Sequence, residues 1–500
     1  MRFPPALAIL FLPALAAAQG APASARADSI RASIRSYRVA NERAIVGELF
    51  DLLAIPNLAT DSVNIRRNAA ALVTMLGRRG FATRLLEVAG APPAVYGELA
   101  APGATRTIVF YAHYDGQPVD TTQWTSPPWT PTPRTVNGEE RVFARSASDD
   151  KSPIVAMLVA IDALRAAGRT PSVNLKVFLD GEEEMGSGHL DQILAANREL
   201  LRADLWVIAD GPVHQTRRPQ ILFGARGVMG AGLTTYGPSR ALHSGHYGNW
   251  APNPIVRLAS LIASMRDDDG RIRIAGWYDD VASIGAAERR AIAAAPRIDS
   301  SLRAGLSLAR TEASNAVLVE RVMLPALNLR GIRGGNVGEL AANAIPVSAQ
   351  ASIDFRLVPG QRTDRLQRLF EAHVRARGYH VVHTEPSPEE RGRYAKILRI
   401  DWESGYPAAF TPMSSAPAVA VGRAADLAVG APVVRMPLMG GSVPLSGIQT
   451  VLGTPFVILP MVNHDNNQHA ANENLRLQNL WDGIELYGGF FAAIGNEWPR

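Results

Sequence analysis

The stretch TIVFYAHYDGQPVD, residues 107–120, reads as a strand that stops at a histidine and an aspartate. Thr107 to Ala112 is short, apolar and rich in β-branched and aromatic side chains, and Gly116 and Pro118 close it off. Successive side chains on a strand point to opposite faces, so His113 and Asp115 share a face while Tyr114 points away. A histidine with a carboxylate two residues on suits a metal ligand and the group that fixes its tautomer. A solvated polar strand end would read the same way. What decides between them is whether other strands end alike.

They do. VFLDGEEE (177–184) ends in a carboxylate cluster, VIADG (207–211) ends in Asp210, and PFVILP (455–460) runs into NHDNNQHAANE (463–473). A further segment, FARSASDDKSP (143–153), puts Asp149 and Asp150 just before a helix with Pro153 in its first turn. Helical spacing is predicted for Ile30–Leu53, Val63–Arg78, 153–167, 188–201, 416–428 and 475–494, with strands at 107–112, 173–180, 205–210 and 455–460. Strands alternating with helices predict an α/β fold with a mainly parallel sheet and helices on both faces. After about residue 224 the texture changes. GVMGAGLTTYG (227–237) reads as an edge-type strand, and IPVSAQASIDFRLVPG (345–360) alternates strictly, with Val347, Ala349, Ala351, Ile353, Phe355 and Leu357 on one face. An α+β insert therefore interrupts the α/β domain, giving 29–224 and 396–500 as its two parts and 225–395 as a lid or dimerisation domain.

In open α/β sheets the ligand crevice lies off the carboxyl ends of the strands. Carboxylates and imidazoles gathered there repel one another unless cations sit among them. The chain has no cysteine, so a His/Asp/Glu set would have to do all the ligation. Such a set fits Zn²⁺, Mn²⁺ or Co²⁺, and five ligands suffice for a two-metal site with one bridging carboxylate.

Composition narrows the classes. Net charge is +5, but Lys151, Lys176 and Lys396 are the only lysines and the arginines are scattered, so nucleic-acid binding is not supported. The opening MRFPPALAILFLPALAAAQG has a basic start, a short apolar stretch and Ala16-Ala17-Ala18, the pattern of a secretory signal peptide (1–18) cleaved after Ala18. No cysteine follows for a lipoprotein anchor, and no later segment is long and apolar enough for a span. An exported protein, periplasmic or secreted and free of the membrane after cleavage, is expected, with 21–28 as a disordered mature N-terminus.

In order, these segments resemble the di-zinc metallopeptidase family of carnosine dipeptidases, glutamate carboxypeptidases, aminoacylases, acetylornithine deacetylase and succinyl-diaminopimelate desuccinylase, most of all the carnosine dipeptidase branch. The resemblance covers nearly all of the chain after residue 18. YAHYDGQP implies His113 as a zinc ligand and Asp115 as its orienting partner. ARSASDDKSP implies Asp149 as the bridging carboxylate, with a cis Asp149–Asp150 peptide. DGEEEMGS implies Glu183 as general base and Glu184 as ligand, VIADGP gives Asp210, and QHAANE gives His469, with Glu473 near it. In the insert, RALHSGHYGN implies that His243 reaches the active site of a partner in a homodimer. RLVPG, NAIP and GGSVP imply Arg356, Asn343 and Ser442 as substrate contacts.

Departures are Ala144, Ser146 and Ser152 where the family's second motif has glycine, Gly-Pro after Asp210, and Leu438-Met439 in place of the branch's Arg-Glu. The last puts substrate preference in doubt. The implied activity is hydrolysis of the amide bond of small peptides, by Glu183 acting on water at two divalent metal ions. An N-acyl-amino-acid deacylase is the alternative, and a non-catalytic exported metal- or peptide-binding protein the second.

Each residue alone has a plainer reading. Asp149, Glu183, Glu184 and Asp210 could be solvated loop acids or helix caps, His243 a surface histidine, Arg356 an exposed strand arginine and Ser442 a helix N-cap. Their joint order carries the metal reading. His189, His214, His246, His373, His380 and His383 are read as structural. His464 competes with His469 but lacks its context. Trp124 and Trp129 are read as packing.

Overall fold

The computed structural model describes residues 23–498; the expected signal peptide lies outside them. Strand Thr107–His113 lies inside an eight-stranded sheet with the order 82–86, 94–99, 174–180, 107–113, 205–208, 456–458, 220–222, 434–436. The four strands from 174–180 to 456–458 run parallel, and 94–99 and 82–86 pair antiparallel at one edge.

Alternation along 107–113 explains the layering. Ile108, Phe110 and Ala112 enter one core with helices Ala23–Leu53, Lys151–Ala166, Ala416–Val429 and Leu477–Glu497. Val109 and Tyr111 enter a second core on the other face, with helices Leu190–Ala196 and Ser446–Thr450. A strand buried on both faces has no polar side to show, which is why its sequence is continuously apolar. Phe110 packs edge-on against Tyr487 at 5.2 Å between centroids, while Tyr111 stacks over Phe178 at 6.0 Å. With the central strands parallel, their carboxyl ends open onto one rim.

Disorder was expected over 21–28; residues 21 and 22 lie outside the described residues, and the first helix already holds residues from Ala23. Ala27 and Ile30 are buried, and Arg31 Nη1 donates to Leu427 O at 2.6 Å. Docking on the helices at 416–429 and 477–497 orders this segment, and local composition carries no sign of that.

The insert has its own five-stranded sheet, ordered 326–333, 348–357, 227–236, 397–402, 380–382. Ala349, Ala351, Ile353, Phe355 and Leu357 face a core closed by helices Pro254–Ala263 and Thr363–Ala376. Two details differ from expectation. The glycine-rich strand 227–236 is central, between 348–357 and 397–402, not at an edge. Its glycines admit close backbone: a Cβ on Gly227 would come within 2.5 Å of Tyr406 O and Ala408 N. Strand 397–402 also pairs within this sheet, so the sheet carries the chain to Trp402, past the expected boundary at 395. No described helix is long and apolar enough to cross a membrane.

Candidate metal centre

Four strand ends and one helix start converge on the rim of the large sheet. Among the described residues, two groups of donor atoms lie within 4.8 Å of one another: His113, Asp149 and Asp210, and Asp149, Glu184 and His469. All five ligands expected from sequence are there, with Asp149 common to both groups. Asp149 Oδ1 is 2.9 Å from His113 Nε2, and Asp149 Oδ2 is 3.0 Å from His469 Nε2, which is 3.2 Å from Glu184 Oε2.

Asp115 is fully buried behind His113. Its Oδ1 is 3.3 Å from His113 Nδ1, and its two oxygens accept the backbone N–H groups of Glu183 (3.1 Å) and Glu184 (3.0 Å). One carboxylate thus holds an imidazole and the turn bearing both glutamates. Glu183 lies beside the cluster but in neither donor group.

Glu473 does more than sit near His469. Its buried carboxylate takes Arg145 Nη1 at 2.8 Å and Ser146 N, Ser148 N and Asp149 N at 2.9 Å each. Those bonds hold the 145–149 loop, and with it Asp149, against the 466–474 loop, and the Asp149–Asp150 peptide is cis as the resemblance implied.

Electrostatics match a centre built around cations. Burial, reinforced by the charge of Asp149, pushes Glu184 up to about 7 and Asp210 up to about 6. Glu183 is raised well above the usual carboxylate range, by burial first and then by Asp210, Glu184 and Asp149. Burial raises Asp149 too, but bonds from His113 and His469 outweigh it and hold its carboxyl well below the usual range. The bond to Asp149 lifts His469 to about 9. Several carboxylates that can ionise together only at a cost, with two imidazoles and no thiolate, are a donor set that fits divalent cations.

Other expected residues lie elsewhere. Arg356 donates to Ser442 Oγ at 2.9 Å and Asp354 Oδ2 at 3.1 Å, and Ser442 Oγ donates to Gly227 O at 3.2 Å. The insert's arginine and the serine of the 436–442 loop therefore meet. His243 and Asn343 are exposed and belong to neither donor group. They adjoin on a short ribbon in which His243 pairs with Ala344 and Asn343 O accepts Ser244 N at 2.8 Å. His464 is exposed and outside both groups. Trp129 Nε1 donates to Asn57 Oδ1 at 3.1 Å and Arg145 lies over Trp124 at 5.2 Å, so this loop packs against the site's base.

Sequence reasoning missed several contributors. Gln468 reaches Asp149 Oδ2 at 3.2 Å and Gln117 reaches Glu184 Oε2 at 2.7 Å. Asn57 Nδ2 donates to Tyr114 O and Ser146 Oγ, each at 2.8 Å. Burial and the neighbouring Arg356 lower the Arg226 guanidinium to about 10. Gln117 and Gln468 lie inside the quoted YAHYDGQP and QHAANE motifs and were findable; Asn57 and Arg226 had no local signal.

The profile of peptidase family M20/M25/M40 matches residues 109–493. The Cys-Gly metallodipeptidase dug1 of Schizosaccharomyces pombe is 28% identical over 414 residues, covering 82% of this chain and 84% of its own. Human Beta-Ala-His dipeptidase is 25% identical over 412 residues, covering 81% and 78%. Among solved structures, an M20 family metallo-carboxypeptidase from Sulfolobus solfataricus superposes with a TM-score of 0.76 at 26% identity, over 90% of this chain and 99% of that one.

Proposed function

The chain belongs to peptidase family M20/M25/M40 and is a metal-dependent peptide hydrolase; from that premise we propose that it is a two-metal exopeptidase of the dipeptidase or carboxypeptidase type. One observation carries the reading: two donor groups share Asp149, and Glu183 stands beside them without belonging to either. His113, Asp149 and Asp210 would hold one cation, and Asp149, Glu184 and His469 the other. Zn²⁺ is the preferred ion, with Mn²⁺ and Co²⁺ the alternatives that an oxygen and imidazole set admits. When bound, the cations supply Lewis-acid polarisation of the scissile carbonyl and make water acidic enough to ionise near neutral pH.

The remaining steps belong to side chains. Glu183 takes the proton of the attacking water and passes it to the leaving amine. Asp115 keeps His113 and the 183–184 turn aligned. Arg356 binds the substrate's terminal carboxylate, with Ser442 fixing its guanidinium and Arg226 adding positive potential. We assign His243 and Asn343 to the site of a second copy, in a homodimer built on the insert. Leu329 and Ile332, exposed on the edge strand 326–333, support that assembly. The pattern of residues 1–18 supports export to the periplasm or medium, and the mature chain should then start at Gln19 on N-terminal sequencing.

One observation favours the deacylase alternative. Met439 Sδ lies 3.8 Å from where a Cβ on Gly211 would stand, so an apolar side chain borders the segment after Asp210. Rates on dipeptides against N-acetyl amino acids separate the two substrates. A binding protein without catalysis is disfavoured because Glu183 is in place.

The test of the core reading is Glu183→Gln, which keeps the shape but cannot accept a proton. kcat should fall about 10²–10⁴-fold with KM and bound metal little changed. Glu184→Gln should lose bound metal as well as rate. Retention of most activity by metal-loaded Glu183→Gln would move the base elsewhere, with Glu182 the next candidate.

A further inference from the structure

After strand 397–402 the chain does not leave the insert's sheet at once. Tyr406 N donates to Val228 O at 3.0 Å and Val228 N to Tyr406 O at 3.1 Å, an antiparallel bridge that extends the sheet by one pair. On the other side Val228 lies opposite Arg356 in the register of 227–236 with 348–357. Residues directly opposite on antiparallel strands project from the same face. Arg356, Val228 and Tyr406 therefore form one row. Their neighbours Phe355, Leu357 and Met229 point into the insert's core, so the row faces the opposite way, where Arg356 meets Ser442.

The phenol of Tyr406 is half-buried, and among the described residues its hydroxyl has no hydrogen-bond partner. The charges that act on it are Glu183 and Arg356. It thus shares a face with the group read as carboxylate anchor and lies within electrostatic reach of the group read as general base.

We propose that the Tyr406 hydroxyl is a substrate-binding group, donating a hydrogen bond to the terminal carboxylate that Arg356 holds. This rests on the roles of Arg356 and Glu183 proposed above. The substrate residue beyond the scissile amide has its carboxylate at Arg356 and its amine at Glu183, so its α-carbon passes Tyr406. Three donors, two on the guanidinium and one on the phenol, converge on an acceptor-only group. A C-terminal amide would instead turn N–H toward those donors, and a longer chain would have to cross the row. The class selected is a peptide or N-acyl amino acid with one free α-carboxylate a single residue from the cleaved bond.

The experiment compares a dipeptide with its C-terminal amide, using metal-loaded wild type, Tyr406→Phe and Arg356→Met. Wild type should prefer the acid. Tyr406→Phe should raise KM for the acid roughly 10- to 100-fold, the loss of one hydrogen bond to a charged group, with kcat nearly kept and the amide losing far less. Its melting temperature should not move, since the hydroxyl has no protein partner to lose. An unchanged acid-to-amide ratio in Tyr406→Phe, or equal losses for both substrates, overturns the role of Tyr406. If Arg356→Met keeps the ratio too, or wild type has no preference, the carboxylate anchor itself is wrong and this inference falls with it.

Discussion

Glu473→Gln is the most exacting single perturbation of this site, since it changes one atom and no volume. In the wild type one oxygen accepts Ser148 N and Asp149 N, and the other accepts Arg145 Nη1 and Ser146 N. An amide keeps one acceptor and presents an NH₂ to the other pair of donors. Arg145 is 2% exposed, so its charge would stay buried opposite a neutral group. Removing one member of a buried ion pair costs about 3–5 kcal/mol, and a buried backbone N–H without a partner about 1–3 kcal/mol more. The sum is about 4–8 kcal/mol, the size of a small domain's whole stability. Asp149 would lose its hold on the loop, and metal affinity should fall about 10- to 100-fold, as when an orienting partner is removed. The assays are urea unfolding of the metal-free protein and metal titration against a competing chelator. Replacing Arg145 and Glu473 together by apolar residues of similar volume removes the unpaired charge but strips Ser146 N, Ser148 N and Asp149 N of their acceptor, so it should recover neither the stability nor the affinity. If Glu473→Gln unfolds and binds metal like the wild type, the carboxylate is not what holds Asp149.

Three further outcomes follow from the same geometry. Asp210, Glu184 and His469 are raised to about 6, about 7 and about 9. Each then binds more protons folded than unfolded, so the stability of the cation-free protein should fall as pH rises from about 4 to about 9. Thermal melts after chelation at several pH values check this, and saturating divalent cation should flatten the slope. Asp115→Asn leaves one of the Glu183 and Glu184 N–H groups without an acceptor, and should weaken metal binding about 10- to 100-fold with a smaller change in KM; unchanged metal affinity would refute the positioning role. Mixing inactive Glu183→Gln and His243→Ala after unfolding and refolding together should restore activity, because a mixed dimer contains one complete site. Absence of recovery in a protein that is dimeric by light scattering would refute the exchange of His243 between subunits.

Sequence alone determined those features whose cause is local. The strand at 107–113 was legible because both of its faces are buried, which leaves a continuous apolar run. The five donors were legible because each ends a strand or starts a helix, and the carboxyl ends of parallel strands share one rim. The insert's core face was legible from period-two alternation at 349–357. Tertiary structure decided the rest. The donors to Glu473 lie 324 to 328 residues away in sequence, so nothing near Glu473 announces them. The first helix is ordered by helices near the other end of the chain, and a glycine-rich strand became central because backbone had to pass close on its flank. The row of Arg356, Val228 and Tyr406 depends on register, in which a slip of one residue would turn the arginine into the core. Side-chain type and local periodicity are written residue by residue; which distant groups become neighbours is settled only when the sheets choose their pairings and the cores close.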